Sequence, residues 1–551
     1  MRMWQVLGAS ALAYSLAYGI ARAEPVTPAV VPTEAVAAVP ADDAKPAAAA
    51  IDTGAPPEIM APPAPLSPLA AAIRQILAEP PGGLNEREIE ERAAITAFYE
   101  AHGGSLLWVG NGTLNAKADG LIMELSKAAD YGLDANDFAP PQAKPGTGLQ
   151  SDESNLAALE MDLTLTALRY ARFARGGRIM HPAQDLSSYL DRAPQLMDPN
   201  LTLKELAATD DASAYLRALH PKHPQFEKLR QKYLAARGEM TYRKSTKPLS
   251  AEAKRLLANM EQWRWMPADM GDLYVWNNIP EYMLRVSKDG QIIHTERIVA
   301  GLIDKQTPIF SRPMRKIVFR PKWKIPESIK VREIWPSLVS GGGIMNRFGL
   351  RIETKDGQVV PTKSVDWTKE DIRNYEVIQP PGPHSILGNL KFSFPNPHTV
   401  YMHDTQDKYM FAASQRTYSH GCMRVRNPAK LAEVLLAADK GWDAARVEEL
   451  VKSGPLDNEV ALERKIPVHI TYFTAWVEDD GKVKTFRDVY GHERRITQAL
   501  EGKWREINKG RDHLAPVVPD LAAAVRPKVS PVRAANAKPF DFIAAVLGGG
   551  F

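Results

Sequence analysis

Residues 401–427 decide how this chain is read: Tyr401-Met402-His403-Asp404-Thr405, then Ser419-His420-Gly421-Cys422-Met423-Arg424-Val425-Arg426-Asn427. Alternate residues of an extended strand face opposite sides. Val400 and Met402 are therefore expected to face a core, with Tyr401 and His403 on the other side. In the second stretch Met423 and Val425 face inward, and His420, Cys422, Arg424 and Arg426 share the opposite face. A thiol, two imidazoles, a phenol and two guanidiniums are so gathered on one surface.

That set suits nucleophilic acyl transfer. A free thiol is mostly protonated at neutral pH, and an imidazole hydrogen-bonded to it can take the proton. Arg424 adds positive charge, which favours thiolate and suits a substrate carboxylate. Gly421 lets the backbone approach closely, so the amide of Cys422 can face a developing oxyanion.

Working outward, residues 272–500 read as a mainly β domain. Leu273/Val275 and Leu284/Val286 alternate with polar residues, and Asp289-Gly290 is a hairpin signal. Val468/Ile470/Tyr472, then Asp480-Gly481, then Val483 repeat the pattern. Between about 322 and 388 the alternation breaks at Pro326, Pro336, Gly341-Gly342-Gly343, Pro380-Pro381, Trp323, Trp335 and Trp367, which predicts an inserted lid or substrate wall. The basic residues Arg312, Arg315, Lys316, Arg320, Lys322 and Lys324 read as a solvated strand face. One helix is expected after Asn427, an N-cap followed by Pro428, with Leu431, Val434, Leu435 and Ala438 as its buried stripe and Gly441 past its end.

Upstream, residues 69–265 read as a helical module. Met161, Leu165, Leu168 and Ala171-Arg172 keep helical spacing up to Gly176-Gly177, and Leu256, Leu257, Met260 and Trp263 do so before Pro267. The first 23 residues read as an export signal. Arg2 precedes an apolar run from Val6 to Ile20, and Ala21-Arg22-Ala23 is a small-x-small cleavage site. Residues 24–68 and 513–551 are Pro/Ala-rich and are expected to be disordered.

The chain has 551 residues, and 69 Lys+Arg against 65 Asp+Glu leave a net charge of +4. So mild a charge argues against nucleic acid as the partner. Cys422 is the single cysteine, which excludes an internal disulfide, a Cys-based zinc site and an iron–sulfur cluster. Apart from the signal, no stretch is long and apolar enough to span a membrane.

Ser419-His420-Gly421-Cys422, with His403 upstream, resembles the signature of the L,D-transpeptidases of the YkuD type. Gly421-Cys422-Met423-Arg424-Val425 and Tyr401-x-His403-Asp404-Thr405 are similar to the larger Gram-negative YcbB-like branch. So are Pro381-Gly382-Pro383, Leu387-Gly388, Lys391-Phe392-x-Phe394-Pro395-Asn396, Asn278-Ile279-Pro280-x-Tyr282-Met283-Leu284 and Thr307-Pro308. Phe98-Tyr99, Leu107-Trp108 and the stretch around Leu163–Arg178 resemble that branch's scaffold domain. The branch commonly inserts a helical peptidoglycan-binding module after the scaffold, and the run from His223-Pro224 to Trp263 leaves no room for it.

The resemblance implies an α+β protein: a helical scaffold domain, then a YkuD-type catalytic domain with a capping insertion. It implies Cys422 as nucleophile, His403 as general base and the backbone carbonyl of Asp404 orienting the imidazole. Tyr401, Asp404, Ser419, His420, Gly421 and Arg424 would form the substrate and oxyanion site. The implied reaction is diaminopimelate-to-diaminopimelate cross-linking of peptidoglycan stem peptides, donor and acceptor. A tetrapeptide donor would lose D-Ala through a thioester, without metal or organic cofactor, and carbapenems would acylate the same thiol. The expected location is the periplasm, with other wall-synthesis proteins as possible partners. Two alternatives stay open on the residues: hydrolysis of wall peptides by the same Cys/His pair, and a non-enzymatic wall-associated scaffold.

Overall fold

The computed structural model describes residues 68–102, 105–138, 153–238 and 248–518. The expected signal and nearly all of the expected linker fall outside them, as does the tail beyond 518. Among the described residues no helix is long and apolar enough to cross a membrane.

The amino-terminal part is helical, from Pro68–Ala78 to Ala251–Arg264. Its longest helix, Glu153–Gly176, buries Met161, Leu168, Ala171 and Arg172 of the stripe read from spacing, while Leu165 is only partly covered. Glu160, buried in this helix, accepts from the backbone amides of Leu107, Trp108 and Val109 and from the Tyr99 hydroxyl. Trp108 donates its indole N–H to Thr164 on the same helix. A buried carboxylate must be bonded this fully to be tolerated. Phe98-Tyr99 and Leu107-Trp108 are thus anchored on one charged group.

The catalytic part is a sheet of nine strands. Their spatial order is Thr417–Ser419, Gln291–Gly301, Met423–Val425, Met402–His403, Leu390–Ser393, Ser311–Phe319, Asn458–Thr471, Leu273–Asn278 and Met283–Lys288. The sheet closes on itself because Gln291–Gly301 is long enough to pair twice. Its first part pairs with Met283–Lys288, and its last part with Met423–Val425. The hairpin turn is Asp289-Gly290, both with positive φ (50° and 77°), as the sequence signal requires. Inside the closed sheet lie Val275, Leu284, Val286, Phe392, Met402, Met423 and Ile470, each fully buried. The helix Pro428–Lys440, capped by Asn427 and ended by left-handed Gly441, packs against that core. Its buried face uses Leu431, Ala432, Leu435 and Leu436, so the stripe is rotated from the one expected. Val434 and Ala438 are only partly covered.

The helical part is fastened to the sheet by bonds that cross the junction. Asn259 takes the amides of Thr474 and Ala475 and donates to the Thr474 hydroxyl. Arg192 donates to Ser311 and to the Ile470 carbonyl. The segment from Leu186 to Arg192 so runs beside the sheet and carries Tyr189 and Asp191 to its edge.

The stretch from 322 to 388 folds as a cap with its own small sheet, ordered Trp323–Lys324, Glu376–Gln379, Arg351–Glu353, Val359–Val360. Trp335 and Trp367 are buried in the cap's separate core, and the Trp335 indole donates to the Trp367 carbonyl. Most of the basic residues read as a solvated face meet acids on neighbouring segments: Arg312 with Asp191, Lys316 with Glu459, Lys322 with Asp457 and Lys324 with Glu376.

Candidate active site

The two motif stretches meet as parallel neighbours. Met402 pairs with Met423 and His403 with Arg424, and the Met423 amide donates to the Tyr401 carbonyl. Both methionines point into the core at zero exposure. By alternation Tyr401 and His403 share the outer face with Cys422 and Arg424. These four line a cleft of about 380 Å3. Its other walls come from Tyr189 of the scaffold, the loop 304–308, cap residues from Trp323 to Glu333, and the segment from Arg511 to Val517.

Cys422 enters the site from a strained turn. Gly421 has φ +111°, and a Cβ there would lie 3.3 Å from the Gln306 carbonyl, so only glycine fits without strain. The turn is laced from within. Ser419 Oγ donates to the Cys422 carbonyl at 2.5 Å and accepts from the Gly421 amide at 3.2 Å. Thr307 Oγ1 donates to the Gly421 carbonyl at 2.8 Å and accepts from the Gly301 amide. Ser419 and Gly421 thereby brace the turn that carries Cys422. The amide of Cys422 donates to no group among the described residues, and it is the one the sequence expects to face an oxyanion.

His403 is buried, and its Nδ1–H donates to the carbonyl of Asp404 at 2.5 Å. A carbonyl can only accept, so Nδ1 carries the proton and Nε2 is the basic nitrogen. Burial, then Arg424, pushes the imidazole down to about 3, so the ring is neutral at ordinary pH. Burial likewise pushes the Cys422 thiol up to about 11, against the opposing pull of the Tyr401 hydrogen bonds and the Lys391 and Arg424 charges. The resting pair is therefore a neutral thiol and a neutral imidazole. Arg424 does favour the thiolate, as expected from its charge, and Lys391 does too, but desolvation outweighs both.

The side chain of Asp404, expected in the site, faces elsewhere, and so does Arg426, which alternation put on the same strand face as Cys422. The Asp404 carboxylate accepts from the amides of Asn389 and Thr405 and from Lys408, so it serves the fold and only its backbone oxygen touches the site. Arg426 is half-exposed and pairs with Glu296 at 2.7 Å, off the cleft. Arg424 is buried, with Met410 sulfur at 3.2 Å and Asp407 at 3.9 Å. His420 contacts Glu333 of the cap (3.1 Å) and Lys305 (2.9 Å), so it joins the Cys422 turn to the cap.

Lys391 is the functional neighbour that spacing did not single out, although its motif was quoted. It pairs with His403 across the antiparallel ladder, and its ammonium sits 4.4 Å from the Tyr401 ring centre. Alternation within Lys391-Phe392-x-Phe394 placed Phe392 inward and so Lys391 outward, which was the available signal.

Residues 513–517, expected as the start of a disordered tail, line the cleft. The His513 ring stacks on Tyr189 with centroids 3.9 Å apart. Its Nε2 meets His398 Nδ1 at 2.8 Å, and His398 Nε2 meets Asp191 at 2.9 Å.

Among the described residues no group of three or more His, Cys, Asp or Glu side chains is arranged to hold a metal ion. What the site holds is a thiol, a base with a fixed tautomer, an unspent amide and buried cations. That equipment suits addition of sulfur to a carbonyl.

Residues 272–448 match the L,D-transpeptidase catalytic domain family, YkuD, and residues 93–232 match the Scaffold domain family. A Haemophilus influenzae protein named "Putative L,D-transpeptidase" is 30% identical over 266 residues, which cover 48% of this chain and 53% of that protein. The chain thus spans about half the length of that relative. Remote structural likenesses include an L,D-transpeptidase from Mycobacterium smegmatis, at 13% identity over 36% of this chain and 58% of that one, with a TM-score of 0.17. The catalytic domain of the E. faecium L,D-transpeptidase acylated by ertapenem matches at 14% identity over 37% of this chain and 99% of that one, also at 0.17. Residues 272–448 of this chain are an L,D-transpeptidase catalytic domain of the YkuD family, preceded by a Scaffold domain.

Proposed function

We propose that the protein is an exported, periplasmic enzyme that forms diaminopimelate-to-diaminopimelate cross-links in peptidoglycan through a Cys422 thioester. The observation that carries this reading is the parallel pairing of Met402 with Met423, which brings Tyr401 and His403 beside Cys422 and Arg424 in one cleft. Peptidoglycan stem peptides are the substrates of the family to which the catalytic domain belongs.

In this reading Cys422 Sγ attacks the carbonyl at the L-centre of diaminopimelate in a tetrapeptide stem while His403 Nε2 takes the thiol proton. The oxyanion is met by the amide of Cys422. The carbon–nitrogen bond to terminal D-Ala breaks, and His403 returns the proton to the departing amine. The side-chain amine of a second stem then attacks the thioester and gives its proton to His403, which passes it to the departing sulfur as the carbon–sulfur bond breaks, restoring the thiol. The cap and the segment from Arg511 to Val517 shield the thioester from water, which favours an amine acceptor.

The test is incubation of the chain from Glu24 with purified disaccharide-tetrapeptide, with products followed by mass spectrometry and Cys422→Ala in parallel. A cross-linked dimer with loss of D-Ala is expected, and none from Cys422→Ala. Tripeptide alone would replace cross-linking with hydrolysis. No product from the parent chain, together with a Cys422 unreactive toward a carbapenem, would leave a wall-associated scaffold.

A further inference from the structure

The segment from Arg511 to Val517 is a built part of the cleft. His513 is fixed on four sides: its ring lies on Tyr189, its Nε2 meets His398, its Nδ1 meets the Ser188 hydroxyl at 2.8 Å, and its amide donates to the same oxygen. Ser188, His513, His398 and Asp191 are so joined in one run of hydrogen bonds. Scaffold, catalytic sheet and the segment from Arg511 to Val517 meet in it.

Fixing His513 also fixes Arg511, two residues earlier. Arg511 and Arg332 of the cap both line the cleft that holds Cys422. Arg332 is held below its ordinary range, by burial first and then by the like charge of Arg511, and both cations act on the Tyr189 ring between scaffold and cap. Among the described residues neither arginine has an acid within ion-pair distance. The acids of the same lining are Asp304, Glu327 and Glu333, and Glu333 is engaged by His420 and Lys305. Two guanidiniums that repel each other beside a substrate cleft are stabilised by a shared anion, and a carboxylate matches their fork geometry.

We propose that Arg511 and Arg332 form a carboxylate-binding subsite of the cleft, and that His513 holds the segment carrying Arg511 in place to complete it. Resting on the function proposed above, the ligand is a free carboxylate of the wall peptide that reacts at Cys422.

The test uses the full chain and two reagents of one shape, iodoacetate and iodoacetamide, with alkylation of Cys422 timed by mass spectrometry. The parent ratio of the two rates should fall at least about three-fold in Arg511→Ala and in Arg332→Ala, because only the anion loses an attraction. Arg511→Lys should keep most of the ratio. His513→Ala should lower it as Arg511→Ala does, though Arg511 is still present. Arg315→Ala, on an exposed strand face, should leave it unchanged. An unchanged ratio in the first two variants overturns the subsite, as does an equal slowing of both reagents, which would mean shape and not charge. A lowered ratio in an enzyme that makes no cross-links would keep the subsite and reject the proposed reaction. Cross-linking with an unmoved ratio would do the reverse.

Discussion

His403 is oriented by the backbone oxygen of its own neighbour: Nδ1–H donates to the Asp404 carbonyl at 2.5 Å, while the Asp404 carboxylate turns away to Asn389, Thr405 and Lys408. Orientation is so written into the backbone, where a side-chain substitution cannot remove it directly. His403→Gln should lower turnover by about 10²–10⁴-fold, the usual worth of a general base. Asp404→Asn should cost stability and leave turnover within a few-fold at a temperature where it stays folded. An Asp404→Asn loss as deep as that of His403→Gln would show the carboxylate to be the orienting group. The measurement is single-turnover acylation of both variants.

Cys422 should alkylate as an ordinary buried thiol. With the thiol near 11 and His403 near 3, the iodoacetamide rate should climb about tenfold per pH unit from 6 to 9. A thiolate–imidazolium pair would instead give a plateau across that range, and such a plateau would refute the neutral resting pair. Lys391→Met should slow the reaction at every pH in the range, since it removes a cation that favours the thiolate.

Gly388 has φ +60°, and a Cβ there would come 2.3 Å from Asp404 Oδ2. Gly388→Ala should therefore destabilise the chain by about 1–3 kcal/mol or more, combining backbone strain with displacement of the carboxylate. Asp404→Ala removes the obstructing atoms. In urea unfolding the double variant should be less destabilised than the sum of the two singles. Strict additivity would mean that the two positions do not press on each other.

His403 also links stability to pH. Its folded value is depressed to about 3, so the unfolded chain binds the proton that the native ring refuses. Stability from this group is full above the unfolded value of about 6.5 and is lost as pH falls from there toward 3. The parent's unfolding free energy should drop more steeply than that of His403→Gln between pH 6 and pH 4, by about 1.4 kcal/mol per unit. Parallel slopes would place the ring in solvent.

The sequence by itself determined what depends on local order. Alternation set which side of each motif strand meets the core, since a strand's side chains have period two. Met402 and Met423 inward left Tyr401, His403, Cys422 and Arg424 outward, as the structure has them. The Asp289-Gly290 hairpin and the Asn427 cap are likewise local geometry. Only the tertiary structure decided which outward residues share the cleft. Arg426 has the same parity as Arg424 yet pairs with Glu296, and Asp404 is next to the base yet bonds to Asn389. The charge state of the Cys–His pair was also out of reach of the sequence. It rests on desolvation by the cap, the sheet and the segment from Arg511 to Val517, which are contributed from positions far apart in the chain. His513 shows the same limit most plainly. Its Pro/Ala-rich surroundings have no apolar pattern to predict order, and it is fixed by Tyr189 and His398, whose nearness to it exists only once the sheet has closed against the helical part.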